Sequence, residues 1–420
     1  HPRVRRQRQM CIRDSSWGQS GNAPSGTSPY IGTFEAVTPG YGDMNAVKPA
    51  SPDLTHLKYE TITSNNIGVD FGLFSDKVNF TFELYKKVTD DLLQKKMKVP
   101  SSTGLSTVAW YNSGKIQNKG WEFNIDIAAV KTKDWSFNFG FNISQNKNEI
   151  LELPENKNDE LYTFGNKNYA YSVMMGDPLG SFYGYRYKGV YQNVEETYAV
   201  NTSGQRILDI DGNPVVMKNG DQKVYPGDAR YEDVNGDGVI DENDIVYLGN
   251  SNPTLTGGLN FTLRYKKVSL VAAFHGRAGQ KVINQARMDM ENMRGKNNQS
   301  VAVLRRWRSE GDDTDIPRAL YDKGYNYLGS DRFVEDASFL RLKTVTLKYQ
   351  MPAKWMKAIG VNKLELYATG YDMFVWTKYK GQDPEVNLKA ANDGTVAQVA
   401  IDSNNTPKPF KIAFGLNLNF

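Results

Sequence analysis

The residues best suited to chemistry lie in an acidic loop at positions 233–244. Oxygen-bearing groups recur there at the first, third, fifth, seventh, ninth and twelfth positions, which is the ligand spacing of a calcium loop. Gly238 stands at the sixth position, where such a loop turns sharply. The spacing therefore predicts a Ca²⁺ site. Its ligands would be the side chains of Asp233, Asn235, Asp237, Asp241 and Asp244 and the carbonyl of Val239.

Two departures from the usual pattern define what kind of calcium loop this would be. Asp244 replaces the longer Glu that normally binds the ion with both oxygens, and a Tyr-Pro-Gly turn at 225–227 takes the place of an entering helix. Both favour a static clip over a sensor with moving helices. The alternative is a plain Asn/Asp/Gly turn that holds no ion.

Enzymatic arrangements are not recognisable in the sequence. His1, His56 and His275 are the only histidines, and none has a nucleophile, base or metal-ligand partner at a suggestive spacing. Cys11 is the only cysteine, which excludes an internal disulfide framework. We therefore expect no catalytic residues and no enzyme.

Composition restricts the fold class and the partners. The net charge of +4 arises from 51 basic and 47 acidic side chains that are mixed along the chain, so nucleic acid is not an expected partner. Gly, Tyr and Phe are abundant, which favours an all-β fold. No run approaches the roughly 18–20 apolar residues of a membrane-spanning helix. A barrel strand places only every second residue on lipid, so the mean hydropathy of −0.57 still permits a membrane barrel.

A two-residue alternation of apolar and polar side chains is the strongest structural signal. Large apolar residues occupy every odd position from Trp135 to Ile143, and small or polar residues occupy every even position. Similar runs begin at Val78, Trp121 and Leu259. Between Ala337 and Tyr349 the phase changes, which predicts a β-bulge. The chain ends in a further alternating strand, which would close a barrel against its first strand: Ile412, Phe414, Leu416, Leu418 and Phe420.

The lengths of the connections are an independent criterion, because outer-membrane barrels have short periplasmic turns and long outer loops. Short connections are predicted near 75–76, 131–134, 266–267 and 350–361, the last with a brief amphipathic segment. Long ones are predicted at about 87–117, 147–253, 277–336 and 375–409. Their alternation predicts an antiparallel transmembrane β-barrel with its C-terminus in the periplasm. The alternative is a soluble β-sandwich or propeller.

The predicted strands number nine, whereas bacterial single-chain barrels have an even number. We therefore expect an incomplete barrel, with a tenth strand partly supplied near Trp17. The segment 1–16 holds five arginines without an apolar run or alternation. This segment is interpreted as foreign, either vector-derived or an assembly scar, with a basic surface loop as the alternative. Residues 17–420 would then be the C-terminal part of the barrel.

Several separate stretches resemble the SusC/RagA class of TonB-linked outer-membrane proteins. They include SWGQSGN at 16–22, NNIGVDFGLF at 65–74, GDPLGSFYGYRYKG at 176–189, PGDARYEDVNGDGVID at 226–241, ASFLRLKTVTLKY at 337–349 and YKGQDPEV at 379–386. The resemblance covers about residues 17–420. It implies the last nine or ten strands of a 22-stranded barrel in the bacterial outer membrane, with the N-terminal plug missing from this chain.

The resemblance also implies a function and partners. Members import oligosaccharides or, less often, peptides, are opened by TonB and are covered by a SusD-like surface lipoprotein; the last strand is recognised by the barrel-assembly machinery. The alternatives are a siderophore-type or passive barrel and a calcium-binding extracellular adhesin. Loop aromatics such as Trp110, Tyr111, Tyr183, Tyr185, Tyr187, Tyr325 and Tyr327 would be interfacial girdle residues or sugar-stacking rings. No substrate-contact residue is predicted.

Overall fold

The computed structural model describes residues 10–26, 28–38, 44–105, 107–153, 162–163, 169–171, 174–322, 325–358, 360–390, 398–404 and 406–419. Its main feature is an antiparallel sheet of ten strands, called the wall, in which neighbours in the chain are neighbours in the sheet. The wall strands are β1 (Met10–Asn22), β2 (Glu60–Leu73), β3 (Val78–Asp90), β4 (Lys115–Lys131), β5 (Trp135–Glu152), β6 (Leu255–Tyr265), β7 (Val268–Ala278), β8 (Phe339–Gln350), β9 (Lys363–Thr377) and β10 (Lys411–Asn419).

One face of the wall is apolar from β2 to β10. The register places like residues directly opposite each other, so Phe139 of β5 lies between Ile127 of β4 and Phe261 of β6. The same face stays apolar across the later strands, where Leu366 of β9 is opposite Leu416 of β10. Side chains of successive residues alternate between the faces of a strand, so the two-residue period of the sequence produces this belt. The all-β fold and the alternation are confirmed.

The opposite face of the wall is polar. Asn142 of β5 lies opposite Asn124 of β4, and Thr346 and Thr369 share a hydrogen bond of 3.0 Å between their hydroxyls. A Cβ atom on Gly140 would lie 2.8 Å from carboxylate or amide atoms of Asp126 and Asn260. Glycine at this position therefore leaves room for these polar side chains to meet over the strand.

The bulge expected between Ala337 and Tyr349 is present. Lys343 of β8 is the extra residue against β7, and a compensating irregularity follows in β9, where Asp372 has a positive φ of 49°. The two displaced side chains form an ion pair of 3.3 Å between Nζ and Oδ1. The phase change of the apolar residues in β8 is thus absorbed by two adjacent bulges.

The connections alternate in length, as predicted. Residues 74–77, 132–134, 266–267 and 351–362 link strands at one end of the wall. Residues 23–59, 91–114, 153–254, 279–338 and 378–410 link them at the other end. Two α-helices occur among the described residues, α1 (Gln285–Glu291) and α2 (Ala353–Ala358), and α2 lies in the expected amphipathic connection.

None of the helices in the described part of the chain is long and apolar enough to cross a membrane.

Strand β1 adds a tenth member to the nine strands that were counted from the sequence. It was expected near Trp17, and it pairs with β2 along its whole length, from Met10 opposite Gly72 to Asn22 opposite Glu60. The strand therefore begins inside the segment 1–16. This pairing does not depend on where the segment comes from, so its foreign origin stays a prediction.

The C-terminal strand occupies the expected position. Strand β10 pairs with β9, and Ile412, Phe414, Leu416 and Leu418 lie on the apolar face, where Phe414 is 81% exposed. Phe420 lies outside the described residues. In the described part, β1 and β10 form the two edges of the sheet and do not pair with each other. Closure of a barrel by β10 therefore stays a prediction.

The long connections are folded, which the sequence did not lead us to expect. They contain short strands and single turns of 3₁₀-helix. The strands are Thr33–Val37, Ala46–Ser51, Leu93–Lys98, Thr107–Asn112, Tyr162–Thr163, Ala170–Tyr171, Ser181–Gly184, Tyr187–Val190, Lys218–Asn219, Gln222–Lys223, Ala229–Tyr231, Val239–Ile240, Val246–Asn250, Lys281–Ile283, Val334–Asp336, Leu388–Ala390 and Gln398–Ala400. The 3₁₀-helices are Ser101–Thr103, Glu195–Thr197, Glu242–Asp244, Val301–Arg305, Tyr325–Tyr327 and Asp331–Phe333.

Three of these connections share one hydrophobic core, and we call them together the loop layer (described residues of 153–254, 279–338 and 378–410). Phe182, Ile283 and Val399, one from each connection, are fully buried in the same cluster. A second cluster surrounds Tyr231 and includes Leu328 of the next connection. Most of the buried apolar side chains of the described chain lie here and not in the wall.

The assignment of faces predicts how arginine substitutions affect the wall. Phe139→Arg should destabilise the folded protein in membranes by about 2–4 kcal/mol, because it places a charge in lipid, whereas Asn138→Arg faces the polar side. Both variants of the full-length protein should be compared by heat-modifiable migration and thermal unfolding in detergent and bilayers. Equal losses for the two variants would show that the faces are wrongly assigned.

Candidate functional site

Aromatic residues mark both borders of the apolar belt. Near the short connections, the rings of Trp135 and Tyr265 lie 4.3 Å apart between centroids. Near the long connections, Trp121 of β4 donates its indole N–H to Oε1 of Gln145 at 2.7 Å. Trp and Tyr with one apolar and one polar side are typical of the headgroup level on either side of a membrane. The belt between these rings is therefore the lipid-facing surface.

An ion pair between a buried carboxylate and a partly exposed arginine joins two connections of the loop layer. The Asp228 carboxylate is fully buried and accepts hydrogen bonds from Nε of Arg318 at 2.7 Å and from its Nη2 at 3.2 Å. It also accepts the Tyr225 amide at 2.8 Å and the Asn326 side-chain amide at 3.3 Å. Because these four hydrogen bonds satisfy both of its oxygens, the Asp228 carboxylate can be buried. It holds the 225–229 turn against Arg318 and Asn326.

A second charged cluster lies beside a cavity of ≈ 400 Å³ between α1 and residues 380–382 and 402–404. Arg287 contacts Glu335 at 2.6 Å and Glu291 at 3.1 Å, and Arg332 contacts Glu291 at 3.1 Å. The cavity wall also carries Asp315. With cations and carboxylates side by side, the cavity suits a polar ligand with donors and acceptors better than an ion of either sign.

The YKGQDPEV stretch is fixed to the wall by ion pairs. The guanidinium of Arg341 on β8, only 3% exposed, contacts Asp383 at 2.5 Å, and Lys408 contacts Glu385 at 2.6 Å. Burial alone would raise the pKa of Glu385, but Lys408 and the neighbouring Lys343 and Arg341 outweigh it and lower that pKa. Arg341 therefore holds this stretch against β8, and the pair with Lys408 ties it to a later part of the same connection.

The loop tyrosines are not in the positions that the sequence suggested. Tyr183, Tyr185 and Tyr327 are at most 6% exposed, so none of them is a membrane girdle residue or an open stacking surface. Burial raises the pKa of Tyr185 to about 12. Tyr187 is largely enclosed too, and its hydroxyl donates to the Asp315 carbonyl at 2.6 Å. These rings build the core of the loop layer, a role that their spacing in the sequence does not distinguish from a girdle.

The predicted calcium residues are brought together in one tight loop. Asp233 accepts the amides of Gly236 at 2.7 Å and of Gly238 at 2.8 Å, and the positive φ of 84° at Gly238 matches the expected sharp turn. Asp237 accepts the Val239 amide at 2.8 Å. Residue types and backbone shape therefore fit a calcium loop.

The same loop is also closed by its own hydrogen bonds. Fully buried Asp244 accepts the amides of Val234 at 2.7 Å and of Asp241 at 2.9 Å, and burial raises its pKa. In the described part of the chain, no three His, Cys, Asp or Glu side chains are arranged to hold a metal ion. Calcium binding therefore stays a prediction, since an ion would need carboxylate oxygens that now accept amides.

The belt, the polar face and the alternating connections together define the class of protein: this chain forms part of the wall of a transmembrane β-barrel of the outer-membrane type. The family described as TonB dependent receptor-like, beta-barrel matches residues 14–237. The chain belongs to this family of TonB-dependent receptors. Members of the family are outer-membrane transport proteins and not enzymes.

Individual relatives agree with the family. TonB-dependent receptor P26 of Formosa agariphila is 31% identical over 420 residues, which cover 97% of this chain and 39% of that protein. TonB-dependent receptor SusC of Bacteroides thetaiotaomicron is 28% identical over 376 residues, which cover 87% of this chain and 32% of that protein. The chain thus spans between about a third and two fifths of the curated relatives that it matches, and the predicted resemblance to SusC/RagA receptors is confirmed.

Solved structures show the same fold. The structure of the RagAB peptide importer in its closed-closed state superposes with a TM-score of 0.74 at 22% identity, covering 100% of this chain and 42% of the matched chain. Its open-open state gives a TM-score of 0.72 at 20% identity. The arrangement of wall and long connections is therefore one that a solved outer-membrane protein also adopts.

The Asp228–Arg318 pair should stabilise the loop layer, because it joins two of its connections. Asp228→Ala should cost about 3 kcal/mol, because the Tyr225 N–H and the Asn326 side-chain amide lose their buried acceptor and Arg318 loses its partner. Trypsin should then cleave after Arg318 faster in the full-length protein. The control is Glu195→Ala, which breaks the exposed pair with Arg206 and should cost less than about 1 kcal/mol. Equal protease resistance of the two variants would contradict the proposed role of the pair.

Proposed function

We propose that the full-length protein imports an oligosaccharide across the outer membrane, powered through TonB and assisted by a SusD-like surface lipoprotein. The single observation that carries this proposal is the combination of a receptor-family wall with a packed loop layer at one end. A transporter has to admit its substrate between the loops at the outer surface, and the polar, mixed-charge cavity of this layer suits a ligand rich in hydroxyl groups.

A siderophore-type or passive barrel and an extracellular adhesin are the two alternatives to the importer. A siderophore-type or passive barrel would share the wall, but the 233–244 loop and the YKGQDPEV stretch, fixed to the wall by Arg341, resemble the SusC/RagA class. An extracellular adhesin would have to be soluble without detergent, and the exposed apolar belt opposes this because such a surface drives association in water. The importer therefore accounts for more of the structure than either rival.

Deleting the full-length gene tests the proposal. The native bacterium should lose growth on one class of oligosaccharide and keep growth on the constituent monosaccharide and on peptides. Uptake of the labelled oligosaccharide should also stop when TonB is removed, because a closed receptor needs that energy source. Re-introducing the full-length gene should restore growth, which controls for secondary effects of the deletion.

Each rival gives its own result in this experiment. If the deletion abolishes growth on peptides and on nothing else, the imported substrate is a peptide and not an oligosaccharide. Loss only under iron limitation would indicate a siderophore receptor. Uptake that persists without TonB would identify a passive barrel and overturn the energy coupling.

We also propose that the 233–244 loop is a calcium clip. This proposal is supported by the side-chain oxygens of Asp233, Asn235 and Asp237, which could bind the ion, and by the turn at Gly238. Bound calcium would tighten a loop that packs through Ile240 into the core around Tyr231. An ion that binds only the folded loop at 100 times its dissociation constant would stabilise the fold by about 2.7 kcal/mol.

Calorimetry on the full-length protein tests the clip. Calcium should bind the wild type, and Asp233→Ala combined with Asp237→Ala should abolish binding, because two charged ligands are lost. The matched control is Asp209→Ala with Asp211→Ala, in a nearby turn where Asp209 accepts the amides of Asp211 and Asn213. The control should bind calcium normally. Identical heats for the wild type and the first double variant would remove the site.

A further inference from the structure

Three lysines form a row across the lipid-facing side of the wall, and we call them the lysine row. Lys86 of β3 lies directly opposite Lys119 of β4, which lies directly opposite Lys147 of β5. All three point to the same face as the apolar belt, because they are two residues along their strands from belt or border residues such as Leu84 and Trp121. Lys119 is 48% and Lys147 is 65% exposed.

The lysine row carries more positive charge than its neighbours neutralise. Like charges directly opposite each other on adjacent strands destabilise a sheet. Glu149 lies 3.6 Å from the Nζ of Lys119 and 3.9 Å from that of Lys147. Among the residues that the structure describes, no carboxylate lies within 4 Å of the Lys86 amine. Two of the three ammonium groups therefore share one carboxylate and the third has none, so an anion from outside would relieve their repulsion.

The row stands at the outer border of the belt. Strand β3 runs from the short connection 74–77 to the long connection 91–114, so Lys86 lies near the long-connection end. One step below it on the same face is Trp121, whose hydrogen bond to Gln145 marks the headgroup level. The lysine ammonium groups thus project at the height of the headgroups of the outer leaflet.

A groove joins the lysines to the apolar surface below them. It has a volume of ≈ 470 Å³, and its walls include Ile67, Leu84 and Trp121 together with the three lysines. The groove is therefore apolar at one end and cationic at the other. A ligand that fits both ends must have hydrocarbon next to an anionic group, with the hydrocarbon on the membrane side.

We propose that the lysine row binds the phosphate of an outer-leaflet lipid whose acyl chains lie against Ile67, Leu84 and Trp121. Phosphate oxygens can accept hydrogen bonds from several ammonium groups at once. The surface is continuous with the lipid-facing belt, so a lipid reaches it without leaving the membrane. A free phosphate ion would satisfy the lysines and leave the apolar end of the groove unused, which favours the lipid.

Native mass spectrometry of the full-length, detergent-purified receptor tests the site, with lipid A carrying its phosphates as the probe. The triple substitution K86Q/K119Q/K147Q should weaken retention of this lipid at least about tenfold, since each lysine near an anionic surface adds to binding. The matched control K131Q/K133Q/K267Q removes three exposed lysines at the opposite end of the wall and should retain the lipid like the wild type. Dephosphorylated lipid A should bind wild type and triple variant alike.

A second variant covers the case in which the triple variant does not fold. Glu149→Gln removes the carboxylate that competes for the row, so it should retain phosphorylated lipid A at least as tightly as the wild type. Weaker retention by Glu149→Gln, or equal retention by wild type and a folded triple variant, would overturn the proposal. Displacement of the lipid by about 1 mM inorganic phosphate would also overturn it, because the site would then bind a free anion.

Discussion

The hydrocarbon of a bilayer offers no hydrogen-bond partner, so the backbone of a membrane wall has to pair with itself. The ten-stranded ladder meets this requirement, and the two-residue period then assigns one whole face to lipid. Side chains that a soluble protein would bury, such as Phe139 and Leu416, are on the outside here. A compact apolar core consequently cannot form in the wall. It forms in the long connections, around fully buried residues such as Phe182 and Ile283.

The parts of the fold that could be predicted are those that depend on the pattern of neighbouring residues in the sequence. The wall strands, the bulge in β8 and the alternation of connections follow from neighbours in the chain, and all are present. The loop layer could not be predicted, because its core joins residues as distant as Phe182 and Val399, whose contact depends on the wall placing three connections side by side. Strand β1 extends further than expected because pairing with β2 outweighs its irregular pattern of side chains.

The candidate sites show a second limit of sequence reasoning, which is that one residue pattern can serve two physical purposes. Acidic side chains with the spacing of calcium ligands can also accept hydrogen bonds from the backbone N–H groups of their own loop, as Asp233 and Asp244 do. A tyrosine in a long connection has the same sequence environment whether it lies at the membrane surface or, like Tyr185, inside the loop layer. Conversely, the lysine row is not visible along the chain, because only the register brings Lys86, Lys119 and Lys147 together.

The shared core of the loop layer also restricts how such a receptor can change during evolution. Independent surface loops accept insertions one at a time, whereas here a longer segment near Ile283 would displace Phe182 and Val399 in the two other connections. The three connections should therefore diverge together, much as a single small domain does. New ligand preferences would then arise by replacing side chains on the surface of this layer, as at Asp315 in its cavity, more readily than by exchanging whole loops between receptors.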